Sequence, residues 1–276
     1  MKLAANLLHL YRELPPLARS QAAAADGFDG VEWPFPYAHA PAVVAERLRS
    51  AGLPLVLLNT PLGPDGEPGL AAVPGREAQF RDGVERALAM AQHTGCRRLH
   101  LMAGRPPCPA AGVAADGAAP LDAATGDLLQ RRLQWAAALA GQAGVMLLLE
   151  PLNRHDAPGY AYHRPAQVLP LLRTMALPGL RLQFDLYHAE REGLPLPQAL
   201  QEAAGWIGHV QIAQAPDRSA PDLARPATVQ ALQALAALEA GGWLGLEYIP
   251  RGRTADSLAW RQPLRALLQH EQEHPA

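Results

Sequence analysis

The 276-residue chain has only two cysteines, Cys96 and Cys108, and no Cys-x-x-Cys pair. That excludes a disulfide framework and fits a reducing cytoplasm. Neither sign of charge is in excess: 24 Lys and Arg stand against 26 Asp and Glu, a formal net charge of -2. A nucleic-acid or anionic-membrane binder carries a basic surplus, so neither partner is expected. There is no run of 18 apolar residues to span a membrane. The opening stretch, MKLAANLLHLYRELPP, is too short in apolar length and too interrupted by Asn6 and His9 to read as a signal peptide. Nicotinamide fingerprints, phosphate loops and a nucleophilic serine motif are missing as well.

What is present is apolar material for a large core, 49% hydrophobic residues against 18% charged. Glycine and proline are plentiful, 24 and 27, but they lie between apolar runs instead of forming one tract. Eight short apolar runs read as strands: Leu3–Leu7, Gly30–Trp33, Leu55–Asn59, Arg98–Ala103, Val145–Glu150, Leu180–Asp185, His209–Ala213 and Leu244–Ile249. Helical patterns separate them over Leu14–Ala25, Ala42–Ala51, Arg76–Thr94, Leu121–Gln142, Pro165–Met175 and Ala227–Ala240. Runs such as VMLLL are apolar at every position, as in parallel strands covered on both faces. Eight units in 276 residues give about 34 residues each, which is a strand, a helix and two loops. The expected fold is α/β, a single (β/α)8 TIM barrel filling one domain over 1–276. An open doubly wound sheet would place glycines after the first strand, and AANLLHLYRE has none. Two connections are long, Thr60–Gly75 and Gly104–Pro120. Both follow strands and so border the active face; the second, rich in Ala, Pro and Gly, reads equally as a tolerated insertion or a lid.

Polar residues appear where four consecutive buried strands end: Glu150, Asp185, Gln211 and Glu247, spaced by 35, 26 and 36 residues. In a closed barrel they converge at the C-terminal mouth. Three carboxylates buried together cost several kcal/mol per charge unless a cation neutralises them. An all-oxygen donor set selects Mg2+ or Mn2+ over structural zinc and leaves about two octahedral positions for a substrate with adjacent oxygens. Glu150 and Glu247 could then pass a proton between adjacent carbons through an enediolate, which suits aldose–ketose isomerisation or epimerisation. His188 lies three residues beyond Asp185, in the following loop. His209 shares the inward face of its strand with Gln211. Asn6, Asn59, Glu32 and Trp33 end the first three strands, and the asparagines and Trp33 are candidate substrate contacts.

The segments LLLEPLNRHDAPGY, QFDLYHAER, GHVQIAQAPDR and GLEYIP resemble the hydroxypyruvate isomerase family of xylose-isomerase-like TIM barrels. AANL, GFDGVEWPFPY and VPGREAQFRDGVERAL do so too, in order, from about residue 2 to residue 260. The resemblance implies one divalent metal on Glu150, Asp185, Gln211 and Glu247, acid/base work by Glu150 and Glu247, and substrate contact by His188 and Arg218. It implies a small hydroxy-keto acid or sugar acid as substrate, nominally hydroxypyruvate and tartronate semialdehyde. The family's alternatives are a 2-oxo-tetronate isomerase and a ketose 3-epimerase; a metal- or ligand-sensing barrel is the non-enzyme alternative. An apurinic endonuclease of the related group would need more histidine ligands and a basic face. Assembly into a homo-oligomer is left open. The chain departs from the family pattern after Pro216 and Arg218, where SAPDLARPATV replaces a glycine-rich, glutamate-containing stretch. Gaining Arg225 there predicts a more positive mouth that favours an acidic substrate.

Overall fold

Strands that are apolar on both faces must be covered on both, and here they cover themselves by closing. The computed structural model describes residues 1–107, 121–238 and 242–273. Eight parallel strands form a closed barrel in chain order: β1 (Lys2–Asn6), β2 (Gly30–Glu32), β3 (Leu55–Asn59), β4 (Arg98–His100), β5 (Met146–Leu149), β6 (Leu180–Asp185), β7 (Ile207–Ile212) and β8 (Trp243–Leu246). β8 closes on β1 through Lys2–Trp243 to Ala5–Leu246 pairing. Outside run α1 (Arg19–Ala25), α2 (Pro41–Ala51), α3 (Glu77–Thr94), α4 (Ala123–Gln142), α5 (Pro165–Met175), α6 (Leu186–Arg191), α7 (Leu196–Ala203), α8 (Pro226–Ala237) and α9 (Arg261–Glu273). The expected barrel is therefore the observed one.

Alternation along the strands divides the interior into two environments. One set, including Leu147, Leu149, Leu182, Phe184, Val210, Ile212, Leu244 and Leu246, packs outward into the apolar layer under the helices. From α3, Phe80, Val84, Ala87, Leu88 and Ala91 enter the same layer at helical spacing. That helix stops at Gly95, whose φ of 71° suits the left-handed cap. The other set, including His100, Glu150, Gln183, Asp185, His209 and Gln211, is polar, buried and turned into the barrel.

Several boundaries differ from expectation. Glu150 and Glu247 lie one residue beyond β5 and β8, where the backbone is leaving the sheet. β4 stops at His100, β1 at Asn6, and β7 begins two residues earlier, at Ile207. The first helix starts at Arg19 after a 3₁₀ turn over Pro16–Ala18, because Pro15 and Pro16 disfavour helical geometry in the residues before them. α6, α7 and α9 were not expected; the first two have only six and eight residues, and α9 is largely polar. His188 therefore stands on a helix and not in a loop. Cys108 and most of the Gly104–Pro120 connection lie outside the described residues, as does the end of the helix expected to reach Ala240. The Thr60–Gly75 connection is anchored. The Arg132 guanidinium, on α4, donates to the carbonyls of Leu70 (2.7 Å) and Val73 (2.9 Å) and to the Glu77 carboxylate (2.8 Å).

Candidate active site

Asp185 shows how the local sequence builds the mouth. It ends β6 and caps α6, its Oδ1 accepting the N–H of Tyr187 at 2.8 Å. Its Oδ2 is buried with no hydrogen-bond partner. Three residues on, one helical turn carries His188 back over this carboxylate, with Nε2 3.6 Å from Oδ2 and 3.9 Å from Glu150 Oε1. Ligand atoms of Glu150, Asp185 and His188 all lie within 4.8 Å of one another.

Glu150 is held from below. Gln183 Nε2 donates to its Oε2 at 2.8 Å, and His100 Nδ1 lies 3.0 Å from the same oxygen. Glu247 completes the cluster from β8, with Oε1 3.6 Å from His9 Nε2 and 3.4 Å from Arg218 Nη1. The Arg218 guanidinium spans the mouth, 3.7 Å from Asp185 Oδ2 and 2.9 Å from His188 Nε2, over the ring of Tyr187 at 4.3 Å. Gln211 pairs in register with Asp185 on the neighbouring strand.

The carboxyls are poised differently. Burial, then repulsion from Glu247 and Asp185, pushes Glu150 well above the usual carboxylate range. Burial also raises Asp185, to about 7, against the pull of Arg218. Glu247 feels burial too, but the Arg218 guanidinium and the neighbouring His9 outweigh it and hold it at about 2. His188 is pushed down to about 3 by burial and by Arg218. Its Nδ1 faces the backbone N–H of Asn153 at 3.1 Å and its Nε2 faces Arg218 Nη2 at 2.9 Å, so donors hold the ring on both sides. The cluster's donors fit a hard divalent cation: carboxylate oxygens from three strand ends, one of them unpartnered, and no thiolate. Cys96, the described cysteine, is buried and its thiol is pushed up to about 12 by burial.

The model of the Xylose isomerase-like TIM barrel family matches residues 20–269. This chain belongs to that family. It is 39% identical over 264 residues to a 2-oxo-tetronate isomerase of Cupriavidus necator, covering 95% of this chain and 98% of the relative. It is 34% identical over 267 residues to the hydroxypyruvate isomerase of Escherichia coli, covering 96% and 100%. A crystal structure described as AP endonuclease, family 2, from Brucella melitensis superposes with a TM-score of 0.86 at 36% identity, covering 95% of this chain and 98% of that one.

Within this family barrel the residues singled out from sequence fall into three groups. Glu150, Asp185, Glu247, His188 and Arg218 converge at the mouth. Asn6 and Gln211 lie deeper, both bonded to Glu32. Trp33 and Asn59 stand at the ends of β2 and β3. Trp33 packs edge-on against His39, and the Asn59 carbonyl accepts the Tyr37 hydroxyl. Arg225 does not do what its position in the sequence suggested. It forms an ion pair with Glu190 at 2.8 Å, so the expected excess of positive charge at the mouth is neutralised by a side chain of α6.

Sequence reading missed Gln183 and His100. Both sit on inward positions of their strands, and the period-2 rule that singled out His209 reaches Gln183 as well, two residues before Asp185.

Proposed function

We propose that this chain isomerises a small hydroxy-keto acid of the hydroxypyruvate or 2-oxo-tetronate type, with Glu150 and Glu247 moving the proton. One observation carries the reading: Glu150, Asp185 and Glu247 meet at one mouth, with His188 3.9 Å from Glu150 and Arg218 3.4 Å from Glu247. Two carboxylates at one site are the groups that proton transfer between adjacent carbons needs.

For hydroxypyruvate, the ionised Glu247 carboxylate takes a proton from the hydroxymethyl carbon, and the carboxyl of Glu150 returns one to the former keto carbon. The hydroxyl proton moves to the former keto oxygen, and tartronate semialdehyde results with atoms and charge conserved. Glu150, Asp185, Gln211 and Glu247 would hold Mg2+ or Mn2+; when bound, such a cation polarises the keto group and stabilises the enediolate. Arg218 Nη2 lies 2.9 Å from His188 Nε2, and its guanidinium is the donor at this point of the mouth that a substrate oxygen can take.

The acidic substrate is favoured over a neutral ketose because the guanidinium of Arg218 offers a bidentate partner to a carboxylate. The names of the Cupriavidus and Escherichia relatives support the same substrate class. A nuclease reading, suggested by the Brucella relative, lacks the basic surplus that duplex binding requires at a net charge of -2.

The test is exchange of the substrate's α-proton in D2O, followed by NMR with Mg2+ or Mn2+ supplied and after chelation. Hydroxypyruvate, a 2-oxo-tetronate and tagatose are compared side by side. Metal-dependent exchange with the highest kcat/KM on an acid is expected. A highest kcat/KM on tagatose overturns the acidic-substrate reading, and undiminished exchange in Glu247→Gln overturns the proposed role of that glutamate.

A further inference from the structure

Below the mouth lies a carboxylate that the proton transfer does not use. Glu32, at the end of β2, is fully buried. Its Oε2 accepts from Asn6 Nδ2 at 2.8 Å and from Gln211 Nε2 at 2.8 Å, and its Oε1 faces His209 Nε2 at 2.5 Å. The barrel makes room for it: Gly245 pairs in register with Gln211, and a Cβ at Gly245 would collide with the Glu32 carboxylate.

These contacts have a direction. The Asn6 amide is fixed independently, because its Oδ1 accepts the backbone N–H of Leu8 at 3.0 Å and only its NH2 is left for Glu32. Glu32 Oε2 is thereby an acceptor, and Gln211 meets it with its own NH2. The Gln211 Oε1 is turned the other way and accepts from Gln183 Nε2 at 2.6 Å. The second N–H of that amide donates to Glu150 Oε2. A polar chain thus runs Glu32–Gln211–Gln183–Glu150 with a carboxylate at each end. Reversing the Gln211 amide would set oxygen against oxygen at Glu32 and NH2 against NH2 at Gln183.

We propose that Glu32 is a positioning residue that acts through Gln211, fixing its amide so that Oε1, with one lone pair left after Gln183, is presented to the divalent cation. The proposal rests on reading Gln211 as a ligand. Groups behind the ligands of a metal site orient them and tune affinity in this way, and their loss weakens binding by about 10–100-fold. A glutamine at position 32 could donate to a reversed Gln211 amide, so the orientation would no longer be enforced.

The experiment is a Mn2+ titration of the metal-free full-length chain, with free Mn2+ read by electron paramagnetic resonance and no turnover involved. Wild type, Glu32→Gln, Gln211→Ala and the double variant are compared, with thermal unfolding as a check on the fold. The expected result is an increase in Kd of about tenfold or more for each single variant. The double variant should bind no more weakly than Gln211→Ala alone, because Glu32 has nothing left to orient. A merely structural Glu32 would show its full effect again in the Gln211→Ala background, and that result overturns the proposal. Wild-type affinity in Glu32→Gln overturns it too. Wild-type affinity in Gln211→Ala removes Gln211 from the ligand set, and the failure then belongs to the site assignment. Should Glu32→Gln not fold, Glu32→Asp keeps the charge and draws the carboxylate back from Gln211. It is expected to weaken Mn2+ binding in the same Gln211-dependent manner, and wild-type affinity there would equally count against the proposal.

Discussion

Glu32 on the barrel floor and Asp185 at its mouth are both buried carboxylates on the inward face of neighbouring layers, yet the protein treats them differently. Glu32 receives three side-chain donors across its two oxygens. Asp185 receives one backbone N–H on Oδ1, and its Oδ2 has no hydrogen-bond partner. Burying a carboxylate costs several kcal/mol unless donors or a cation compensate. The floor is compensated from within the chain. The mouth sets Glu150, Asp185 and Glu247 against one another, with Arg218 as the neighbouring guanidinium. The difference separates a part that holds shape from a part arranged for a cation and a reacting substrate.

The largest effects should come from removing the mouth's proton-transfer groups. Glu247→Gln and Glu150→Gln are each expected to lower kcat by about 10²–10⁴-fold. The double variant should lose less than the product of the two, because both serve one transfer. Steady-state kinetics on hydroxypyruvate checks this, and near-normal turnover in either single variant would break the distinction between mouth and floor.

Asp185→Asn sharpens the comparison by separating function from stability. The amide oxygen can still cap α6, so the helix start survives. Mn2+ affinity should fall by more than about tenfold. The metal-free protein should gain about 1 kcal/mol near neutral pH as repulsion is relieved, a rise in Tm of about 2–4 °C by calorimetry. Glu32→Gln, by contrast, relieves only the smaller repulsion that Glu32 exerts on Glu150 and Asp185, while it weakens the hydrogen bonds from Asn6, Gln211 and His209, and should not raise Tm.

The pH dependence of stability follows from the same groups. Asp185, at about 7, and Glu150 have raised values in the folded state, so their protonated forms favour the fold. That contribution is fully present below about pH 4 and is lost as pH rises through 7. Glu247, held at about 2, works in the opposite sense: its contribution is present above its unfolded value and fades as pH falls towards 2. Stability of the metal-free chain should therefore fall between pH 4 and 7, and saturating Mg2+ or Mn2+ should flatten that slope. A metal-free profile that is flat over this window would contradict the assignment.

The smallest effect concerns Arg225. It is paired with Glu190 and partly exposed, and such pairs contribute about 0–1 kcal/mol. Arg225→Ala should leave the kcat/KM ratio between an acidic and a neutral substrate within about twofold, whereas Arg218→Ala should change it strongly.

Much of this was legible in the chain itself. The eight apolar runs and the polar residues ending LLLE, LQFD and LGLEY carry the barrel and its mouth, because strand burial and strand ends leave period and polarity in the sequence. The floor was harder to see. His100 ends the short β4 and Gln183 lies within β6, and nothing local says that Gln183 bridges Gln211 to Glu150 across the barrel. Glu32 is visible as a strand-end carboxylate, but its partners lie on β1 and β7. Arg225 misled for a related reason: its charge is evident in SAPDLARPATV, while the Glu190 that neutralises it lies on α6, a six-residue helix too short to leave a periodic pattern.

The most direct measurement is anomalous scattering from a crystal soaked in Mn2+. A single strong peak is expected at the mouth, bounded by Glu150, Asp185, Gln211 and Glu247 at about 2.0–2.2 Å from their oxygens, with none beside Glu32. A peak on the floor at Glu32, or one coordinated outside these four residues, would contradict the account.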